Sequence, residues 1–479
     1  MKPERARPRA QPAPHCEGNR RTPAVDGSQW LRPGQARAGR NQTRPRNANS
    51  KQLKIMSAKT SRNPWAWIPS LYLAEGLPLA LALSVSLVLY KNLGVSNAEI
   101  TFYTGWLYLP WVIKPLWSPL VDLLKTRRLW IWTMQLLVGG TLAGVAFTIP
   151  TPHFFQATLA LFWLLAFASA THDVAADGFY ILALPERDQA AFNGIRTTFY
   201  RIAGILAKGQ LVILAGILAA SAGSYSAAWS LVFAIVAAIV LLLAVYHRFI
   251  LPQPVKDVPG VAGQNFSGEF LKTFAAFFQK PGIGVSLLFL LTYRFGEAQL
   301  MPMTQLFFLD AHDKGGLGLT NTQVGFIYNT VGVIALIGGG LLGGFVISRN
   351  GLKFWLWPML LAIHLPDAVF VWLAAAQPEN LYAIGAGIAV EQFGYGFGFA
   401  SFMLYMIYVA RGAHATAHYA LCTGFMAMGM MIPGLWSGWL QAHLGYKLFF
   451  VWVVLATIPS FLVMMKLRVD ADFGRRAGD

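Results

Sequence analysis

The chain has 479 residues, of which 55% are hydrophobic, 14% aromatic and only 12% charged, and its mean hydropathy is +0.48. A soluble protein carries roughly 25% charged residues, so an ordinary water-soluble domain is excluded. The formal net charge of +17 would suit a nucleic-acid binder, but residues 1–62 hold 15 Lys/Arg against 3 Asp/Glu and supply most of it.

Residues 1–62 are rich in Pro, Gly, Asn and Gln and nearly free of apolar residues, the composition of a disordered tail. The stretch lacks the apolar core of a signal peptide. It reads as a basic arm against anionic lipid or, preferably, as a misassigned start with Met56 the true first residue. Twelve apolar segments of spanning length follow. They are Trp67–Tyr90, Glu99–Pro119, Leu129–Ile149, Phe154–Ile181, Ala191–Ala219 and Ala227–Ile250, then Ile283–Leu309, Thr322–Ser348, Phe354–Ala375, Leu381–Val409, Ala415–Gln441 and Leu448–Lys466. Unbroken runs such as 228–246 lack the alternation of a transmembrane barrel, which leaves helices as the spanning option. Cys16 and Cys422 fall in the tail and in a span, so no disulfide framework is implied. The expected chain is an all-α membrane protein: a tail over 1–62, six helices within 63–250, a linker over 251–280, six helices within 281–468 and a tail over 469–479.

Polar residues inside these segments mark candidate sites. In the first, Glu75-Gly76-Leu77-Pro78 sets an acid beside a proline that would loosen the helix; Glu75 is a candidate substrate contact. The second ends with Lys114-Pro115-Leu116-Trp117-Ser118-Pro119-Leu120-Val121-Asp122, followed by Lys125, Arg127 and Arg128. An acid beside basic residues at a helix end can form an ion pair that breaks when the conformation changes, so Asp122, Lys114, Arg127 and Arg128 are candidate gating residues. The plain alternative is a surface salt bridge worth about 0–1 kcal/mol. Lys114 lies deeper, and its expected partner is Asp173 or Asp177.

The fourth segment carries Thr171-His172-Asp173-Val174-Ala175-Ala176-Asp177-Gly178, which stacks two carboxylates on one helix face. A charge at mid-bilayer costs at least ~2.5–3.5 kcal/mol, so Asp173 and Asp177 should face a wet cavity or a cationic partner. They are the first candidates for proton coupling. In the fifth, Arg196 is expected to snorkel to the surface. Tyr200 and the deeper Lys208 are candidate substrate contacts, with Lys208 also suited to pair with the fourth-segment carboxylates. The linker bears Phe266, Phe270, Leu271, Phe274, Phe277 and Phe278 at helical spacing, which predicts a short amphipathic surface helix. Arg294 and Glu297, three apart in the seventh segment, either neutralise each other or meet substrate. His364 and Asp367 in the ninth suit a packing pair. Glu391 in the tenth is the third proton-coupling candidate. The neighbouring Gly394, Gly396 and Gly398 suit close helix packing.

Orientation follows from the loops. With the first segment starting inside, internal loops and the C-terminal tail hold Lys125, Arg127, Arg128, Arg187, Arg248, Lys256, Lys272, Lys280, Arg349, Lys353, Arg411, Lys466, Arg468, Arg475 and Arg476, against only Lys91, Lys314 and Lys447 outside. This is a positive-inside bias with both termini cytoplasmic. A weak echo between Arg127-Arg128-Leu129-Trp130-Ile131-Trp132 and Leu352-Lys353-Phe354-Trp355-Leu356-Trp357 supports two six-helix halves related along the membrane normal, the major facilitator architecture. An intramembrane prenyl-transfer enzyme would need two acidic clusters for Mg²⁺, and only one is present. A sensor or scaffold would need a soluble domain. No metal-ligand spacing, nucleophile triad or phosphate loop occurs, so neither catalysis, metal nor cofactor is expected.

Glu75-Gly76-Leu77-Pro78-Leu79-Ala80-Leu81, the stretch from Lys114 to Asp122, Ser169-Ala170-Thr171-His172-Asp173-Val174-Ala175-Ala176-Asp177, Leu184-Pro185-Glu186-Arg187 and Tyr200-Arg201 together resemble the AmpG-type muropeptide permeases of the major facilitator superfamily, a grouping that also includes acetyl-CoA transporters. The likeness runs from about Trp65 to Lys466. It implies proton-driven import of peptidoglycan fragments across a bacterial inner membrane, with Asp122, Asp173 and Asp177 at the family's acidic positions. This chain departs at Glu75, where the family commonly has Ser or Ala, and at His172, where Gln is frequent. Many muropeptide permeases also carry two further C-terminal spans. The expected partners are a small-molecule solute, protons and membrane lipid, with no nucleic acid; a monomer is expected. The cavity should be lined by segments one, four, five, seven and ten, with Lys208 and Arg294 offering charge to the substrate's carboxylates. Acetyl-CoA, a sugar or a peptide are the alternative solutes.

Overall fold

In lipid an apolar segment can satisfy its backbone only from within, so long hydrophobic runs fold as helices. The computed structural model describes residues 62–474 apart from 119–120, 122–123, 185, 256, 259–271, 273 and 413–414. It is helical, with no strand among the described residues. The segments are α1 (Pro64–Asn92), α2 (97–116), α3 (Arg127–Thr148), α4 (Phe154–Ala183), α5 (186–222), α6 (Tyr225–Ile250), α7 (283–309), α8 (Asn321–Asn350), α9 (Leu352–Ala376), α10 (Leu381–Ala410), α11 (Ala415–Leu435) and α12 (Ser437–Met464). Nine helices among the described residues are long and apolar enough to cross a membrane. α2, α7 and α11 are not among the nine; α2 passes through 3₁₀ turns and α7 breaks at Tyr293 and Arg294. Asp122, most of the expected amphipathic helix and nearly all of the N-terminal tail lie outside the described residues.

Three segments carry a π-helical turn: Leu81–Val85 in α1, Leu206–Leu211 in α5 and Ile327–Gly332 in α8. The α1 turn follows Pro78, whose missing N–H removes one helical hydrogen bond. The α5 turn packs against both others. Such turns re-aim side chains and are frequent at functional positions.

The apolar core has a different form at the two ends of the bundle. At the end where α1 finishes, one core draws on both early and late segments, including Tyr90, Ile149, Phe307, Leu317 and Tyr446. At the end where α1 begins, there are two. Trp67, Ile131, Phe179 and Leu251 form a core from the first six segments alone, while Phe277, Leu352, Tyr405 and Val463 form one from the last six. The molecule is fused at its far end and divided at its near end.

Candidate functional site

The division is where the fourth-segment carboxylates come together with partners. Glu75 of α1 and Asp173 and Asp177 of α4 place carboxylate oxygens within 4.8 Å of one another. Helical spacing brings Asp173 and Asp177 to one face, and α1 packs across it. Gly76 permits α1 to approach α5 this closely: a Cβ there would sit 2.7 Å from the Tyr200 backbone oxygen.

Two cations meet the three acids. Lys114 Nζ donates to Asp173 Oδ2. Arg196 Nη2 lies 3.0 Å from Asp177 Oδ1. Its guanidinium also stands 4.8 Å from the Tyr72 ring centroid and 5.0 Å from that of Tyr180, a cation–π contact on each. The Tyr72 hydroxyl donates to Asp177 at 3.4 Å. Glu75, only 6% exposed, has no ion pair among the described residues; its carboxyl lies within 4.8 Å of that of Asp173, and its Oε2 is buried without a hydrogen-bond partner. Two carboxyls can share a hydrogen bond only with a proton between them.

The site is not sealed. A cavity of about 380 Å³ lies beside it, walled by Tyr72, Glu75, Tyr108, Trp111, Lys114, Asp173, Arg196 and Tyr200, with Thr423 and Met426 of α11 opposite. The Asp177 side chain is 43% exposed. Behind the acids, Gln135 of α3 bridges two buried histidines, with Nε2 2.9 Å from His172 Nε2 and Oε1 2.8 Å from His247 Nδ1. His247 Nε2 in turn lies 2.9 Å from Ser70 Oγ. This ladder ties α1, α3, α4 and α6 and fixes the back of the α4 face.

The arrangement differs from the expected one in several places. Segments two and eleven line the cavity, and seven and ten do not. Lys114 stands in the cavity wall on Asp173, one of the two partners expected for it, away from Arg127 and Arg128. Arg196 does not snorkel; Asp177 and the two tyrosines hold it. Arg128 donates from Nε to Leu251 O at 3.3 Å and from Nη2 to Arg248 O, clamping the end of α6. The Arg127 guanidinium lies where a Gly178 side chain would stand. The backbone N–H groups of Arg127 and Arg128 donate to Asp257, which caps α3. Lys208 does not reach the carboxylates. It sits half-buried in the π turn of α5, with no hydrogen bond or ion pair among the described residues.

Arg294 and Glu297 form a second, dry cluster. Arg294 grips Glu297 through Nε at 3.0 Å and Nη2 at 2.8 Å, donates to the Tyr395 hydroxyl at 2.6 Å, and stacks near Tyr395 and Phe399. Both charges are nine-tenths buried and paired with each other. Glu391 is buried apart from the cavity and accepts from Gln392 Nε2 at 2.9 Å. Its glycine neighbours serve packing: a Cβ on Gly396 would meet Leu336 O at 2.0 Å. His364 and Asp367 are buried 4.0 Å apart, as a packing pair would be.

Sequence reading missed a polar latch at the far end. Lys91 pairs with Asp310 at 2.5 Å, Tyr446 donates to Asp310 at 2.6 Å, and Asn97 Nδ2 lies 3.0 Å from Asp310 and 3.2 Å from Gln441. Asn92 and Asn321 exchange hydrogen bonds at 3.1 and 2.6 Å. All but the Tyr446–Asp310 bond join an early segment to a late one. Lys91 had counted only as a loop charge, and Asn97 and Asn321 follow the helix-capping Ser96 and Thr320.

The carboxylate triad is compact enough to surround a cation, but Lys114 and Arg196 already sit on two of its members. Fixed cations of that kind would have to be displaced by a metal, so the donor set suits protons better.

A comparison with known proteins is consistent with this picture. The profile of the Major Facilitator Superfamily matches residues 71–428. The anhydromuropeptide permease of Escherichia coli (strain K12) is 26% identical over 411 residues, covering 84% of this chain and 79% of that one. A putative transporter AmpG 4 of Rickettsia conorii is 24% identical over 409 residues, covering 84% and 95%. Among solved structures, a nucleoside transporter, NupG, superposes with a TM-score of 0.64 at 15% identity over 84% of this chain and 99% of its own. A bacterial homologue of the human lysosomal transporter Spinster, captured inward-facing and unoccupied, gives 0.60 at 14% over 88% and 98%. An all-helical membrane body, a cavity walled by charged side chains and a family profile over most of the chain converge: this protein belongs to the Major Facilitator Superfamily, as an AmpG-type multi-pass transporter of a small-molecule solute.

Proposed function

We propose that this transporter imports muropeptides, sugar–peptide fragments of peptidoglycan, across a bacterial cytoplasmic membrane, with each turnover driven by protons. The positive-inside bias supports a cytoplasmic position for the divided end, and likeness to the anhydromuropeptide permease of Escherichia coli supports the solute class.

The observation that carries the proton coupling is the charge count of the site. Three carboxylates within 4.8 Å face two cations, so the cluster has one negative charge too many unless it holds a proton. The Glu75–Asp173 contact is the place for it. A neutral cluster can be closed off from water as the two halves rock, whereas a net charge there costs at least ~2.5–3.5 kcal/mol. Protonation from the outside therefore favours turnover, and release inside resets the acid. Tyr72, Tyr108, Trp111 and Tyr200 offer flat faces for a sugar ring, while Lys114 and Arg196 offer charge to its carboxylates. Far-end latch contacts around Asp310 close the outer side in this state and break when the carrier faces outward.

Counterflow by the purified carrier in proteoliposomes tests both parts. Muropeptide should exchange and respond to an imposed pH gradient, with acetyl-CoA and simple sugars failing to compete. Exchange indifferent to the gradient would remove the proton coupling; competition by acetyl-CoA alone would replace the solute.

A further inference from the structure

A second cavity, of about 680 Å³, opens at the near end among the ends of α7, α10 and α12, away from the carboxylate site. Four cations border it: Lys280, Arg411, Lys466 and Arg468. Two of them have partners. Lys280 Nζ donates to the backbone oxygens of Val409 at 2.6 Å and Arg411 at 2.7 Å, which caps the end of α10. Arg411 pairs with Asp470 at 3.2 Å and stacks on Tyr408 and Phe473. The other two, Lys466 and Arg468, are exposed and have no hydrogen bond or ion pair among the described residues. Asp470 is the one nearby acid in these contacts, and Arg411 takes it, so the mouth keeps a positive surplus.

The wall between these cations is apolar, formed by Ile283, Val285, Val409 and Leu467. The 10-residue helix that opens α7 begins at the same wall, at Gly282 and Ile283, and adds the positive end of its dipole. Cations over an apolar groove, at the membrane-facing end of a helix bundle, match an amphiphile with a phosphate head and a hydrocarbon tail. A free phosphate would use the cations and leave the groove empty. We propose that this cavity binds an anionic phospholipid of the inner leaflet, with Lys466 and Arg468 on its phosphodiester and one acyl chain along Ile283, Val285 and Leu467. Basic pockets between helix ends on the cytoplasmic side recognise such headgroups in this way. This lipid site is independent of the transported solute and stands or falls without it.

Native mass spectrometry of the full-length carrier extracted from mixed bilayers tests the site directly. The wild type should retain dioleoylphosphatidylglycerol over dioleoylphosphatidylcholine, and the Lys466→Gln/Arg468→Gln double variant should lose that preference by roughly thirtyfold, two basic contacts' worth. Both side chains are exposed, so folding is not at stake. Lys447→Gln, at the opposite end, should leave the preference unchanged. Equal retention of the two lipids by the wild type, or a double variant that keeps its preference, overturns the proposal. Millimolar sodium phosphate should not displace the anionic lipid; displacement, with phosphate itself retained, would make this a free-phosphate site and overturn the lipid assignment.

Discussion

The two charged clusters of this protein occupy equivalent places and solve opposite problems. The same interval separates Glu75 from Glu297 and Asp173 from Tyr395, so α1 and α4 on one side correspond to α7 and α10 on the other. In the α7–α10 pair, Arg294 matches Glu297 with two hydrogen bonds and a tyrosine completes the set. That pair is neutral and buried. In the α1–α4 pair, an aspartate stands where the tyrosine would be, the cations arrive from α2 and α5, and one carboxylate is left over. The lesson is that one spatial frame holds a structural lock on one side and a titrating site beside a cavity on the other. What separates them is whether the charges balance, and whether water reaches them.

Breaking the lock should have the largest effect, and on stability rather than coupling. Arg294→Ala strands Glu297 in a buried place, a loss of about 3–5 kcal/mol, visible as a lowered unfolding midpoint in detergent. Arg294→Met with Glu297→Met removes both charges and should recover most of that loss. A double variant as unstable as the single one would mean the pair is not self-contained. On the other side, Glu75→Gln keeps the shape but removes the shared proton. Two carboxylates then face two cations, a cluster neutral without a proton, so uptake should lose its response to an imposed pH gradient, with unfolding almost unchanged. Asp177→Asn should cost less, since Asp177 is 43% exposed and water can replace part of its role. Retained accumulation by Glu75→Gln would place the proton elsewhere.

How much of this was legible in the sequence depends on whether the signal was local. Helical apolar runs, the i and i+4 carboxylates and the i and i+3 Arg294–Glu297 pair all follow from helix periodicity. Lys114 could be given Asp173 as partner because a buried ammonium needs an anion and few were on offer. The rest depends on how helices face one another, which periodicity does not specify. Arg196 reads as a snorkelling end residue until Tyr72 and Tyr180 are seen to enclose it. Lys208 reads as a partner for the fourth-segment carboxylates until Lys114 and Arg196 are seen to hold those places. The Asp310 latch joins residues far apart in the chain, and nothing in the spacing of Lys91, Asn97 and Tyr446 hints at a common partner.

The latch sharpens the comparison at an intermediate scale, because it holds both clusters in their present orientation. Asp310→Asn removes the ion pair with Lys91 and weakens the bond from Tyr446. Hydrogen bonds to a charged group contribute about 2 kcal/mol, so the balance should shift roughly thirtyfold toward an outward-open state. Spin-label distances across the far end report it directly. Burial pushes the Asp310 carboxyl up, but hydrogen bonds from Lys91, Tyr446 and Asn97 outweigh it and hold it below the usual carboxylate range. The sign follows: the latch is fully formed above the ordinary carboxylate value of about 4 and weakens only as pH falls through the lower, latched value. The distances in the wild type should not change between neutral and mildly acidic pH. A latch that opened on mild acidification would show that Asp310, rather than the Glu75–Asp173 pair, senses the proton.

Lys208 should give the smallest effect and the finest discrimination. It is a cation in the same half as the titrating cluster, at a depth where charge is costly, yet it joins neither cluster. Were it a substrate contact, Lys208→Met would raise the KM for an anionic solute about tenfold or more, as loss of one charged hydrogen bond does. Since it is not among the residues that wall the cavity and pairs with none of the carboxylates, the expected change in KM is less than about threefold, the scale of a substitution away from a site. Lys114→Met should instead release Asp173 and abolish uptake. If the two lysine variants proved equally damaging, the cavity would extend to Lys208 in the loaded carrier, and the boundary between the wet and the dry side would have to be redrawn through the π turn of α5 rather than through Glu75.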